Sequence, residues 1–583
     1  MTQSDASKPF YRPPFTRART ALAFTAVAAI VITSLVLFVY SPCLTLVVAS
    51  SNEKYDLLTI LAGQYSPEPV DRRCVRVRIT SVPSGTAEKQ LADDWRGLPV
   101  ADRPQAWTPA ATTWLLLLRA DRAKKHLPDI LPPVAQPLIY SPLVIAMPAS
   151  MAAALRQSSA KLGWHDVVDR VRDPAGWARF GKPWGPFKLG ETTPLISTSG
   201  LHAMLSLSNV AQSEAEPDKF LRDFDSSVVH YADSVRTFLV ALDAADRRGD
   251  ALNYVSAIAV EEKQVFDYNR GDPTSAPCVT KTCADRVPTE KLVAIYPKEG
   301  TFYADHPYAI LNWPDQPDAE LYREAAQNFQ RFLEGATAQN YFQSQGFRDH
   351  LRQAGDDLDV DHFDPSEPRS LYSPPLPAVI RDTIDHWTTN IRKPANVTLL
   401  LDVDESLGAV NSGGRPSQFT IMTQSVGPVL ESELGEEDVF SLTTFPTRTG
   451  EAYRRVLDPA KLGPPPSQLS SRVEALQTES GTRAVYVAIK AAAEDVRARF
   501  APGGVNAVVV VTTGRNQTSD TRDALSSWFQ QQTDRRVLLF VVALSKEAFD
   551  DLGPVVNAAG GVLYNGTDLK DLGDSIRKAL LNL

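Results

Sequence analysis

Four stretches near the end of the chain, residues 397–401, 439–445, 505–511 and 537–544, are near-continuous apolar runs. Strands buried on both faces look like this, because helices must cover both sides of the sheet they form. Helical patterns at 417–434, 484–499, 521–531 and 569–583 lie between or after the runs. Residues 395–583 therefore read as a doubly wound, Rossmann-like α/β unit.

The other end of the chain is equally constrained. Residues 21–40 carry no charge, and about 20 apolar residues suffice to cross the hydrocarbon core as a helix. Lys8, Arg12, Arg17 and Arg19 precede this run against Asp5 alone. That asymmetry places residues 1–20 in the cytoplasm, makes 21–41 a single transmembrane helix, and puts the bulk of the chain on the extracytoplasmic side of a bacterial membrane. The apolar run exceeds a signal-peptide core and no A-x-A-like cleavage site follows, so the span is expected to be retained.

Between these ends, residues 43–49 and 74–80 read as strands, each followed by a helical stretch, at 55–64 and 86–95. This is the opening of a β-α-β wind. Further strand-like runs occur at 138–147 and 292–296, and a long amphipathic helix at 321–342. Residues 42–348 form one α/β region, and 349–394 a linker containing a helix. The acidic run at 356–361 spaces its carboxylates like a calcium loop, but His362 stands where the turn needs Gly and Pro368 where the closing Glu belongs. It reads as a solvated linker.

The four cysteines, Cys43, Cys74, Cys278 and Cys283, all fall on the outer side, where disulfides persist. Four cysteines allow three pairings. Cys278 with Cys283 closes a short loop, and Cys43 with Cys74 ties two strands. With 60 Lys+Arg against 69 Asp+Glu, a net charge of -9 argues against a nucleic-acid partner. No H-E-x-x-H or G-x-S-x-G motif is present, and Pro183 spoils the P-loop spacing of 176–182. The chain is expected to bind rather than catalyse.

In an open parallel sheet, ligands bind beyond the carboxyl ends of the strands. The first run of the C-terminal unit ends in Asp402, Asp404 and Ser406, oxygen side chains at alternate positions that suit a hard cation; Thr482 precedes another helix. This unit resembles a von Willebrand factor type A (vWA) domain with its metal-ion-dependent adhesion site. Asp402, Ser406 and Thr482 match the family pattern. Asp404 replaces its first Ser, and Thr513 stands where its last Asp should be. The resemblance implies Mg²⁺ or another divalent cation held by Asp402, Asp404, Ser406, Thr482 and Thr513, completed by an acidic group from a protein partner.

Segments 47–65, 82–93, 141–148, 195–205, 292–301 and 329–348 resemble extracellular solute-binding proteins of the type 2 periplasmic class. That resemblance implies two lobes hinged over a cleft, with crossovers near 137–142 and 286–291. Ser197, Thr198, Ser199 and Gly200 stand at a helix start, a natural anion site. Ser84 and Gly85 would face them from the other lobe, with Ser51 and Thr108 nearby. The whole is expected to be a membrane-anchored binding protein that acts in adhesion or envelope assembly through the vWA unit. The alternative is a receptor for a small anionic solute, coupled to a transporter or signalling partner.

Overall fold

The computed structural model describes residues 43–583 apart from 97, 157–161, 276–285, 410–415, 464–467 and 533. Among the described residues no helix is long and apolar enough to cross a membrane. The span expected at 21–41, the tail at 1–20, Cys278 and Cys283 lie outside them.

Seventeen strands are described. The first eleven are β1 (Leu44–Ser50), β2 (Val75–Ser81), β3 (Ala106–Thr108), β4 (Gln136–Pro137), β5 (Ser141–Pro148), β6 (Leu189–Thr192), β7 (Val228–Ala232), β8 (Ala257–Glu261), β9 (Leu292–Ile295), β10 (Tyr303–Ala304) and β11 (Pro307–Ile310). They build two sheets. The first lobe has the order β2-β1-β3-β11-β4; the second has β10-β5-β8-β6-β7, with β9 also on β5. β1 runs parallel to β2 with Leu44 opposite Val75, and the Cys43–Cys74 disulfide pins the start of that register.

The chain crosses between lobes twice. The apolar run at 138–147 is not one strand: Leu138 and Ile139 belong to the first lobe's core, while Leu143 to Met147 lie in the second sheet. The return differs from expectation. Residues 286–291 lie before β9, still within the second lobe; the crossover is at Asp305 and His306, between β10, which pairs β5, and β11, which pairs β3. At Arg348 the first lobe closes on the hinge, with the guanidinium held bidentately by Glu262 at 2.7 and 2.8 Å.

The segment after Arg348 is not a free tether. The acids at 356–361 are exposed, but Leu358 and Phe363 are buried against the second lobe, and Tyr372 N–H donates to Thr301 O. The helix Pro377–His386 then leads into the C-terminal unit.

That unit contains β12 (Ala395–Asp402), β13 (Val439–Phe445), β14 (Arg454–Lys461), β15 (Val505–Thr512), β16 (Leu538–Ala543) and β17 (Leu563–Asn565), in the order β14-β13-β12-β15-β16-β17. All pair in parallel except the edge strand β14. This is a doubly wound sheet with its order reversal beside β12. The four apolar runs are its four central strands. The helix Lys546–Ala559, masked in the sequence by Gly553 and Pro554, packs on β16.

The unit is docked on the second lobe. Tyr231 N–H of edge strand β7 donates to Asn582 O, and Tyr564 Oη to Asp233. Asp225 accepts from Lys393 N–H at 2.9 Å and from Trp387 Nε1 at 3.3 Å.

Candidate functional site

The two lobes face each other across a cleft walled by the end of β1 and the starts of four helices: Ser84–Ala92, Thr198–Ala211, Val235–Arg247 and Glu262–Asn269. Each helix start turns the positive end of its dipole toward the cleft, with Thr237 N–H already taken by Ser234 Oγ and Lys263 N–H by Ser141 Oγ. Arg236, in the first turn of its helix, adds a guanidinium to the wall, 3.7 Å from the Asp56 carboxylate of the first lobe.

The lobes are closed. Gly85 N–H donates to Ile196 O across the cleft at 3.1 Å. Trp114 Nε1 donates to Thr198 Oγ1 at 2.8 Å, and Thr113 Oγ1 meets His202 Nε2 at 3.1 Å. A Cβ on Gly85 would lie 2.6 Å from Ile196 Cα, so only glycine permits this approach. The space left is about 40 Å³, room for about two or three waters.

Of the residues expected from the sequence, Ser51, Ser84, Ser197, Thr198 and Ser199 line this space; Gly85, Thr108 and Gly200 do not. Gly85 and Gly200 serve close packing instead, since a Cβ on Gly200 would meet Thr192 O at 1.9 Å. Thr108 offers its carbonyl to Ser51 N–H.

Sequence reasoning missed a buried charge cluster under the cleft. Lys54 Nζ donates to Pro109 O at 3.1 Å and to Ser51 Oγ, and lies 3.1 Å from His306 Nδ1. His306, at the return crossover, reaches Glu53 at 3.4 Å and Glu261 at 3.3 Å. Thus Glu53 of the first lobe and Glu261 of the second share one imidazole. Burial opposes the Glu53 charge, but Lys54 and His306 outweigh it and hold the carboxyl low. Burial pushes Glu261 up, favouring its neutral form. Burial and Lys54 oppose a charged His306, yet its two carboxylates raise it. Glu53, Glu261 and His306 bring ligand atoms within 4.8 Å of one another, but the Lys54 ammonium already supplies the cation among them. The signal available was position, since Glu53 follows β1 and Glu261 ends β8.

The second expected site lies at the carboxyl edge of the C-terminal sheet. Asp402 is fully buried, and its Oδ2 accepts from Thr512 Oγ1, Thr513 N–H and Thr513 Oγ1 at 3.0 to 3.1 Å. Arg483 donates to both Asp404 and Ser406. Burial raises the Asp404 carboxyl, but these hydrogen bonds outweigh it and hold it low. Thr482 is exposed. The donors expected to hold Mg²⁺ are thus satisfied by a guanidinium and by hydroxyls, and as arranged they do not fit a divalent cation.

A family model described as bacterial extracellular solute-binding protein matches residues 46–348. Among solved structures, the sulfate-binding protein SubI from Mycobacterium tuberculosis is 14% identical, covering 59% of this chain and 96% of its own, with a TM-score of 0.36. The periplasmic binding protein AfuA from Actinobacillus pleuropneumoniae is 12% identical, covering 60% of this chain and 99% of its own, with a TM-score of 0.40. The VWA domain of SpRpn10 is 13% identical, covering 30% of this chain and 87% of its own, with a TM-score of 0.25. No curated protein matches the chain.

Proposed function

The chain belongs to the bacterial extracellular solute-binding protein family, and from that premise we propose that it binds a small anionic solute in the cleft between its two lobes. The observation that carries this reading is the convergence of four helix starts and Arg236 on one space. Backbone N–H groups aimed at a common point recognise oxyanions without needing a dedicated counter-charge. Burial raises the Glu261 and Asp233 carboxyls, while Glu53, the other carboxyl on the cleft wall, keeps its charge against Lys54 and His306. The closed cleft is smaller than such a solute, so binding requires the lobes to part about the crossovers at 137–141 and 305–306.

The apolar residues 21–40 support an anchor holding this module at the outer face of a bacterial membrane. The C-terminal unit, with its vWA-like strand order, would then be the element that docks a permease, signalling or envelope partner. Its firm seat on the second lobe supports coupling between cleft and partner. Adhesion through that unit would proceed without a metal, since Arg483 already neutralises Asp404.

The test is calorimetry of the chain with inorganic sulfate and inorganic phosphate. Saturable binding that Arg236→Gln weakens, with the melting profile unchanged, is the expected result. Absence of binding to either anion, or binding indifferent to Arg236→Gln, would remove the anionic-solute reading.

A further inference from the structure

A second cleft of a different character runs along the seam between the second lobe and the C-terminal unit. It is a groove of about 1080 Å³ whose walls come from both units and from the connecting segment. Lys188, Arg248, Lys393, Arg535 and Arg536 line it, against one carboxylate, Asp250. In a chain with a net charge of -9, five cations around one groove are a local reversal of sign.

Among the described residues none of the five forms a salt bridge with a carboxylate; Lys188 Nζ donates instead to Asn253 O, Lys393 Nζ to Val228 O and Arg536 Nε to Ala559 O. Burial, and next the Arg536 guanidinium, hold both Lys188 and Arg248 below their ordinary ranges. Asp250 offsets Lys188 and Arg248, and Asp225 offsets Lys393, only in part, so the groove keeps an excess of positive charge. Clefts lined by one sign of charge concentrate ligands of the other.

We propose that this groove binds a multivalent anion carrying phosphate-type groups, bridging the second lobe and the C-terminal unit. Guanidinium forks match paired phosphate oxygens, and lysines add point charges. The groove far exceeds the volume of the inter-lobe cleft, and cations from two units converge on it, so a ligand with two or more phosphoryl groups engages both sides at once. Occupancy would lock the seam, coupling the ligand to the orientation of the C-terminal unit. This site is separate from the cleft at Ser197, Thr198 and Arg236.

The experiment is isothermal titration of the full chain in a neutral detergent with three probes: inorganic phosphate, inorganic pyrophosphate and a soluble short-chain phosphatidic acid. Expected is saturable binding of pyrophosphate, tighter than phosphate, weakened by salt, and reduced about tenfold or more by Arg248→Gln with Arg535→Gln. Both residues lie at the surface and glutamine keeps most of each side chain, so an unchanged melting profile is expected and checks the fold; Lys188→Gln provides an independent loss. Tighter binding of the lipid, lost in the same variants, assigns the groove to a lipid headgroup and supports the proposal equally. No saturable binding of any probe, binding unchanged in these variants, or binding removed only by Arg236→Gln would overturn it.

Discussion

Arg483 donates to both the Asp404 carboxylate and the Ser406 hydroxyl, so the loop after β12 is closed by a cation of the chain itself. Arginine stays charged at any accessible pH, so the cation of this closure does not titrate away.

Divalent ions should accordingly leave the chain unmoved. Melting in EDTA and in millimolar Mg²⁺, Mn²⁺ or Ca²⁺ is expected to give the same midpoint. Arg483→Ala should lose about 2 kcal/mol, because it strands a mostly buried carboxylate, and should acquire a Mg²⁺-dependent gain. A metal shift in the unmodified chain, abolished by Asp404→Ala, would restore a metal to this loop.

Gly85 decides whether the lobes can shut. Gly85→Ala places a Cβ against the backbone of both Leu195 and Ile196, and backbone cannot step aside. The variant should populate an open form, with a larger radius of gyration by X-ray scattering. Gly63→Ala, where nothing lies within 4 Å, should keep the parental radius and be slightly stabilising.

The Cys43–Cys74 bridge spans 31 residues and fixes two neighbouring parallel strands. Replacing both by Ser should cost about 2–4 kcal/mol, mostly by freeing the unfolded chain. Urea titration with and without the two substitutions reads this directly; an unchanged midpoint would mean the register of β1 and β2 needs no tie.

Acid should destabilise the chain through two buried imidazoles. Burial, with the His306 charge nearby, depresses His202 to about 3, and burial depresses His230 to about 4. A base with a depressed folded pKa is neutral when folded and takes up a proton on unfolding. Its contribution is therefore intact above about pH 6.5 and declines at about 1.4 kcal/mol per unit below that, until the folded pKa is reached. Buried acids such as Asp225, raised to about 6 by burial, act in the opposite sense. The informative measurement is the slope of urea stability between pH 7 and 5 in the parent against His202→Gln with His230→Gln. The variant should be less acid-sensitive, and equal slopes would refute the assignment.

The alternation of apolar runs with helical periods determined that this chain would build parallel sheets covered by helices, because a strand without polar residues can exist only where both faces are buried. β1, β12, β13, β15 and β16 fall on apolar stretches legible in that way, and β2 on an alternating one. Position after a strand end marked Asp402 and Asp404, position at a helix start marked Ser197 to Ser199, and the solute-binding resemblance added Ser51, all as residues near a site. What it could not mark was which neighbours satisfy them. Lys54 meets His306 across 252 positions, Arg483 meets Asp404 across 79, and the return crossover at His306 places one imidazole between two lobes. Nor does any local pattern distinguish Arg536 and Lys188 from ordinary surface charges. Hydrophobic periodicity is a property of neighbours in sequence and survives in one dimension; charge compensation depends on distances between remote residues, and only the tertiary structure sets them.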